Sequence, residues 1–174
     1  VEVPLAKGTM PALYVRAAGG RPCPVVVYCN GLDSCKELLY WSRLPEALAR
    51  RGISTLCVDQ PGSGEALRLQ QLPVDPHSEH WASRAVDWLT GQPDVDAARI
   101  GMAGISLGGH FAPRAVAYER RFAAGAVWGG NHDWMKPRTV GILRCEAGTP
   151  VSVSSALSKP SRKVSVMCSR KMGS

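Results

Sequence analysis

Apolar positions along the chain fall into short runs separated by turn residues and by stretches with helical spacing. Residues 1–5 and 12–16 read as two short strands, joined through Lys7-Gly8-Thr9 as a hairpin turn. After Gly19-Gly20, the run Pro24-Val-Val-Val-Tyr-Cys29 is continuous, β-branched and bounded by turn residues. Such a run fits a strand buried on both faces of a parallel sheet. Asn30-Gly31-Leu32-Asp33-Ser34 follows as a loop. Leu38, Leu39, Leu44 and Leu48 then stand near helical spacing over 36–51, where Pro45 is expected to kink or divide the helix and Gly52 to stop it.

Ile53-Ser-Thr-Leu-Cys-Val58 is a second buried strand, ending in Asp59-Gln60-Pro61-Gly62-Ser63-Gly64 and a polar loop. Over 78–89, Trp81, Ala85 and Trp88 share one helical face. Arg99-Ile-Gly-Met-Ala103 reads as a third strand, 107–118 as a helix, and 122–128 as a fourth strand closed by Gly129-Gly130-Asn131. Strand and helix alternate, which predicts an α/β fold: a mostly parallel sheet, helices on both faces, right-handed crossovers and an N-terminal antiparallel hairpin.

Charge divides the chain where this pattern ends. Residues 1–134 hold 13 basic and 13 acidic groups and all eleven aromatic residues, whereas 135–174 hold eight basic groups, eight serines and the single acid Glu146. The net charge of +7 therefore belongs to the tail and is no footprint of nucleic-acid binding. The expected organisation is a partial core at 1–134 and a basic, Ser-rich, mostly disordered tail at 135–174, with only short apolar pieces at 141–143 and 164–166. No apolar run approaches the roughly 18 residues needed to span a bilayer. The first ten residues show no secretory signal, and Val1 stands where an initiator Met would, as in a fragment or a processed chain. Six scattered cysteines with no C-x-x-C pair point to neither zinc nor a disulfide framework; with no signal, a reducing, cytoplasmic setting is expected.

The sharpest chemical signal is Gly104-Ile105-Ser106-Leu107-Gly108-Gly109, a G-x-S-x-G pattern between a strand and a helix. A serine on so tight a turn has strained backbone angles and tolerates no flanking side chains. The turn projects the hydroxyl above the sheet edge, and the helix N-terminus behind it favours developing negative charge. Asn30-Gly31-Leu32 closes the first buried strand, where the backbone N–H groups of Leu32 and Leu107 would form a two-donor oxyanion pocket. Asp59-Gln-Pro-Gly-Ser-Gly64 closes the neighbouring strand, with Asp59 read as bonding nearby backbone.

On these residues the chain resembles the α/β-hydrolase fold family over 24–134. More narrowly, Gly31-Leu32-Asp33-Ser34 with Lys36-Glu37, Asp59-x-Pro-Gly-x-Gly64 and Gly104-x-Ser106-x-Gly108-Gly109 resemble the esterase and carbon–carbon hydrolase subfamily, of the pseudooxynicotine-hydrolase and polyketide-shortening type. The resemblance implies Ser106 as nucleophile, Leu32 and Leu107 amides as oxyanion hole, and an ester, lactone or β-diketone substrate cleaved through an acyl-enzyme. It implies no cofactor or metal; a small acyl or diketone molecule is the expected partner, with no nucleic acid and no membrane.

The resemblance also implies an acid and then a histidine after later strands. This sequence departs from that order: its last histidine is His132 and the only acid after Asp133 is Glu146. The core is therefore expected to lack its last strands and to be C-terminally truncated, its tail the product of a frameshift, which reading the other coding frames would test. Without a base, serine is a poor nucleophile, so a non-catalytic hydrolase-like domain is the alternative. His110 lies one turn after Ser106 and is expected to point along the helix, while His77 and His80 flank a helix start. In the resembled subfamily an acid near this strand end sits beside the active site, which implies Asp133 as a substrate or electrostatic contact, with a plain loop residue as the alternative; His132, its neighbour, is expected to point the other way on an extended segment.

Overall fold

A computed structural model describes residues 1–19 and 21–130, and the backbone strands 139–144 and 165–168. Strands β1 (Glu2–Pro4) and β2 (Thr9–Val15) form the hairpin, followed by β3 (Cys23–Cys29), helices α1 (Lys36–Trp41) and α2 (Leu44–Ala49), and β4 (Ser54–Val58). Then come α3 (Gly64–Arg68), α4 (Ser78–Thr90), β5 (Val95–Ile105), α5 (Leu107–Tyr118), β6 (Phe122–Gly130), β7 (Thr139–Arg144) and β8 (Ser165–Cys168). The sheet order is β1-β2-β4-β3-β5-β6-β7-β8. The central four strands are parallel, and both flanks are antiparallel.

The chain steps from β3 outward to β4, then returns to place β5 on the other side of β3. That reversal makes a switch point at the carboxyl ends of β3 and β5, the place where open α/β sheets bind ligands. Every residue of β4 is buried, as are Val25, Val27, Tyr28 and Cys29 of β3, which is what two covered faces require. On one face Trp81, Ala85, Val86 and Leu89 of α4 pack with Phe111, Ala112, Ala115 and Val116 of α5 on Val27, Ile100 and Met102. On the other, Leu39 of α1 packs with Tyr28 and Cys57. Burial raises the Cys57 thiol to about 12, so it is an inert apolar filler.

The helix over 36–51 is divided in two, as expected from Pro45: Arg43 adopts φ 63° and Pro45 lies in the first turn of the second helix. Two departures from the sequence pattern have local causes. The polar loop after Gly64 contains α3, five residues long and too short to show a period. The tail is not without regular structure at two places: β7 pairs with β6 and β8 with β7, since the backbone edge of β6 needs a partner and the short apolar pieces supply one. The remainder of 135–174, for which disorder is expected, lies outside the described residues. Among the described residues no helix is long and apolar enough to cross a membrane.

The end of α5 is tied to α4 by charge. Glu119 accepts hydrogen bonds from Arg121 Nη2 at 2.7 Å, from the Arg121 amide at 2.9 Å and from Ser83 Oγ, while Arg121 Nη1 donates to Asp87 at 2.7 Å. Burial alone would raise the Glu119 carboxyl, but Arg121 and Ser83 outweigh it and hold it at about 2, below its usual 4.5. A carboxyl depressed on folding stabilises above its unfolded pKa and loses that contribution as pH falls through the folded value. Stability against urea is therefore expected to fall between about pH 5 and 2, more steeply in the wild type than in Glu119→Gln; parallel curves would remove Glu119 as a source.

Candidate active site

Ser106 is the N-cap of α5 with φ 56° and ψ −115°, a region costing a non-glycine residue about 1–3 kcal/mol. Its amide donates to Trp128 O at 2.9 Å, so β6 holds the turn in this strained form. Two close approaches set the pattern of glycines around it. A Cβ on Gly104 would stand 2.0 Å from Gly108 O, and one on Gly108 would stand 2.5 Å from Cys29 O. Strand, turn and helix can interlock this tightly only where both positions lack side chains. The serine itself is exposed above the sheet.

The loop after β3 reaches this serine. A Cβ on Gly31 would lie 3.3 Å from Ser106 Cβ and 3.7 Å from its Oγ, so the loop passes against Ser106 one residue before Leu32. Leu32 is 53% exposed and Trp128 63%, leaving two large apolar side chains open to solvent on residues adjacent to, or bonded to, this turn. Leu107 is the first residue of α5, where a helix offers its N–H no acceptor of its own.

A buried polar cluster underlies the loop, and the sequence pattern alone did not reveal it. Asp59, fully buried at the end of β4, accepts on Oδ1 from Asn30 Nδ2 at 2.8 Å and the Lys36 amide at 2.6 Å. Its Oδ2 accepts from the Glu65 amide at 2.9 Å and Lys36 Nζ at 3.3 Å. Gln60 and Asn30 bond each other reciprocally, amide N–H to Oε1 at 3.1 Å and Nε2 to carbonyl at 2.9 Å. Lys36 also meets Glu37 at 3.0 Å and Glu65. Burial draws the Lys36 ammonium down, but Glu65, Glu37 and Asp59 outweigh it and raise it, so the group stays charged. Asp59 thus bonds nearby backbone as its turn motif implies, and also a lysine that the pattern does not pair with it.

The described histidines have partners of their own. His77 caps α4 and its Nδ1 lies 2.8 Å from Arg114 Nη2, which also pairs with Glu79. His80 Nδ1 lies 3.1 Å from Asp75. His110 sits within α5, its ring edge-on to Phe111 at 5.9 Å. His132 and Asp133 lie outside the described residues. Among the described residues no cluster of His, Cys, Asp and Glu could hold a metal ion, and Cys23, Cys29, Cys35 and Cys57 are free thiols.

The model of the FrsA-like esterases matches residues 2–133, more than half of the chain. The chain belongs to the FrsA-like esterase family. This FrsA-like chain is 36% identical over 122 residues to 2,6-dihydropseudooxynicotine hydrolase of Paenarthrobacter nicotinovorans, covering 70% of the chain and 32% of that protein. It is 33% identical over 133 residues to the α/β hydrolase pydG of an Acremonium species, covering 69% of itself and 30% of the relative. A crystal structure of 2,6-dihydroxy-pseudo-oxynicotine hydrolase superimposes with a TM-score of 0.69 at 32% identity, over 75% of this FrsA-like chain and 36% of that one. The chain therefore spans about a third of the length of the relatives it matches. The α/β-hydrolase fold expected from the residues is the observed one.

Proposed function

We propose that the chain is the nucleophile-bearing core of a serine hydrolase that cleaves an ester, lactone or β-diketone carbon–carbon bond. Ser106 Oγ attacks the carbonyl carbon. The oxyanion accepts hydrogen bonds from the Leu32 and Leu107 amides, the leaving group departs with a proton, and water resolves the acyl-enzyme. The observation that carries the reading is the strained, exposed Ser106 with Gly31 packed against it. Kinship with a pseudooxynicotine hydrolase supports a small carbonyl substrate, and exposed Leu32 and Trp128 suit an apolar one. Asp133 is kept in the proposal as a substrate or electrostatic contact. The division at residue 134 is kept too, with β7 and β8 as the parts of the basic tail that join the sheet. The reaction proposed needs no cofactor, and its setting is cytoplasmic.

A second reading, a hydrolase-like domain without turnover, rests on the described histidines His77 and His80, whose Nδ1 atoms lie against Arg114 and Asp75. Stopped-flow hydrolysis of p-nitrophenyl acetate separates the two. A burst of about one nitrophenolate per chain that vanishes in Ser106→Ala supports the nucleophile. Turnover after the burst supports the enzyme, and a burst alone supports the domain that acylates but does not deacylate. A burst of equal size in Ser106→Ala excludes Ser106 as nucleophile.

A further inference from the structure

The loop from Asn30 to Cys35 carries one of the two proposed oxyanion donors, yet it belongs to no helix or strand and needs something to set its position. Its two ends converge on one atom. Asp59 Oδ1 accepts both Asn30 Nδ2, where β3 stops, and the amide of Lys36, where α1 starts. The other oxygen is fixed by the Glu65 amide at the first turn of α3. The fit is close: a Cβ on Gly64, at φ +49°, would stand 2.1 Å from Asp59 Cγ, so the backbone of α3 presses on the carboxylate. The carboxylate is fully buried, so its bonds are not exchanged for water. A loop with both ends fastened to a single buried oxygen has Gly31, the residue before Leu32, held against Ser106.

We infer that Asp59 is a positioning residue for the oxyanion-binding loop: by joining Asn30 to Lys36 through Oδ1 it sets where the Leu32 amide stands relative to Ser106. It touches neither substrate nor nucleophile and acts through the loop. The inference rests on the proposed role of Ser106. It adds that the aspartate of the Asp59-x-Pro-Gly-x-Gly64 turn serves the transition state as well as the turn itself, because an oxyanion donor acts on charge that develops only as the bond forms.

The test is covalent inactivation of the full chain by a fluorophosphonate, resolved into the binding constant KI and the chemical rate kinact, with near-UV circular dichroism as the check on folding. Asp59→Asn keeps the volume but presents an NH2 group to one of the N–H donors it now accepts from. Its kinact is expected to fall roughly 10²-fold, the cost of misplacing one oxyanion donor, with KI unchanged. Glu46→Gln removes a carboxylate of α2 that pairs with Arg50 and leaves both loop ends on Asp59, so its kinact stays at the wild-type value. If Asp59→Asn does not fold, Asn30→Ala removes one loop end from the same oxygen and carries the same expectation. A folded Asp59→Asn with wild-type kinact, or an equal loss of kinact in Glu46→Gln, overturns the inference. Wild type that shows no Ser106-dependent inactivation instead overturns the nucleophile reading. Amide hydrogen exchange then decides the clamp alone: faster exchange over 30–36 in Asp59→Asn upholds it, and unchanged exchange removes it.

Discussion

Gly104→Ala is expected to destabilise the chain by about 3 kcal/mol or more, the upper range for overpacking a tight site, and to lower the acylation rate roughly 10²-fold. The added methyl would stand 2.0 Å from Gly108 O and 2.3 Å from Gly108 C, and both are backbone atoms that cannot rotate away. Relief requires the first turn of α5 to lift from β5. That movement displaces Ser106 from the strained conformation held by its amide bond to Trp128 O. Gly52→Ala is the reference, since at φ +76° it carries backbone strain but its Cβ meets nothing within 4 Å. It should lose some stability and leave acylation intact. Thermal melts and burst amplitudes measured on both variants check this; equal acylation in Gly104→Ala and Gly52→Ala would mean that the close approach at the elbow is not what holds the serine.

Trp81→Ala is expected to cost about 3–5 kcal/mol, the range for truncating a buried aromatic residue, and so to lower Tm by on the order of 10 °C. Trp81 is only 2% exposed, sits on α4 with its ring edge-on to Phe111 of α5 at 6.1 Å, and belongs to the larger of the two apolar clusters. Among the described residues its buried Nε1 has no hydrogen-bond partner, so there the indole contributes apolar volume and shape but no polar bond. Trp81→Phe should therefore cost less than about 1.5 kcal/mol, because it sheds an unsatisfied donor along with the volume. Urea midpoints of the three proteins separate these cases. A loss in Trp81→Phe as large as in Trp81→Ala would show that the nitrogen does have a partner in solution.

What could be read from the residues was whatever is written locally. The elbow helix begins at Leu107 and ends at Tyr118 as its turn and periodicity imply, and Ser106 stands at the strand–helix turn where the glycine pattern places it. β5 starts earlier than its apolar run, at Val95, which pairs with Cys23; Asp96, Ala97, Ala98 and Arg99 fall in the register shift before Ile100 pairs with Val25, and their side chains carry no apolar period. The pairing of β7 and β8 was illegible for a different reason: a few apolar residues become a strand only when a free edge lies beside them. Asp59 stood within a recognised turn, but nothing in the order of residues says that positions 30, 36, 59 and 65 meet around one carboxylate. Distances between loop ends are set by the sheet, so the support beneath a site is the part that sequence conveys least.

The most direct measurement on the nucleophile is peptide mapping of the chain after treatment with a fluorophosphonate. One adduct, on the peptide containing Ser106 and absent from Ser106→Ala, is the predicted result. An adduct on another residue, or the same adduct yield in both proteins, would contradict it.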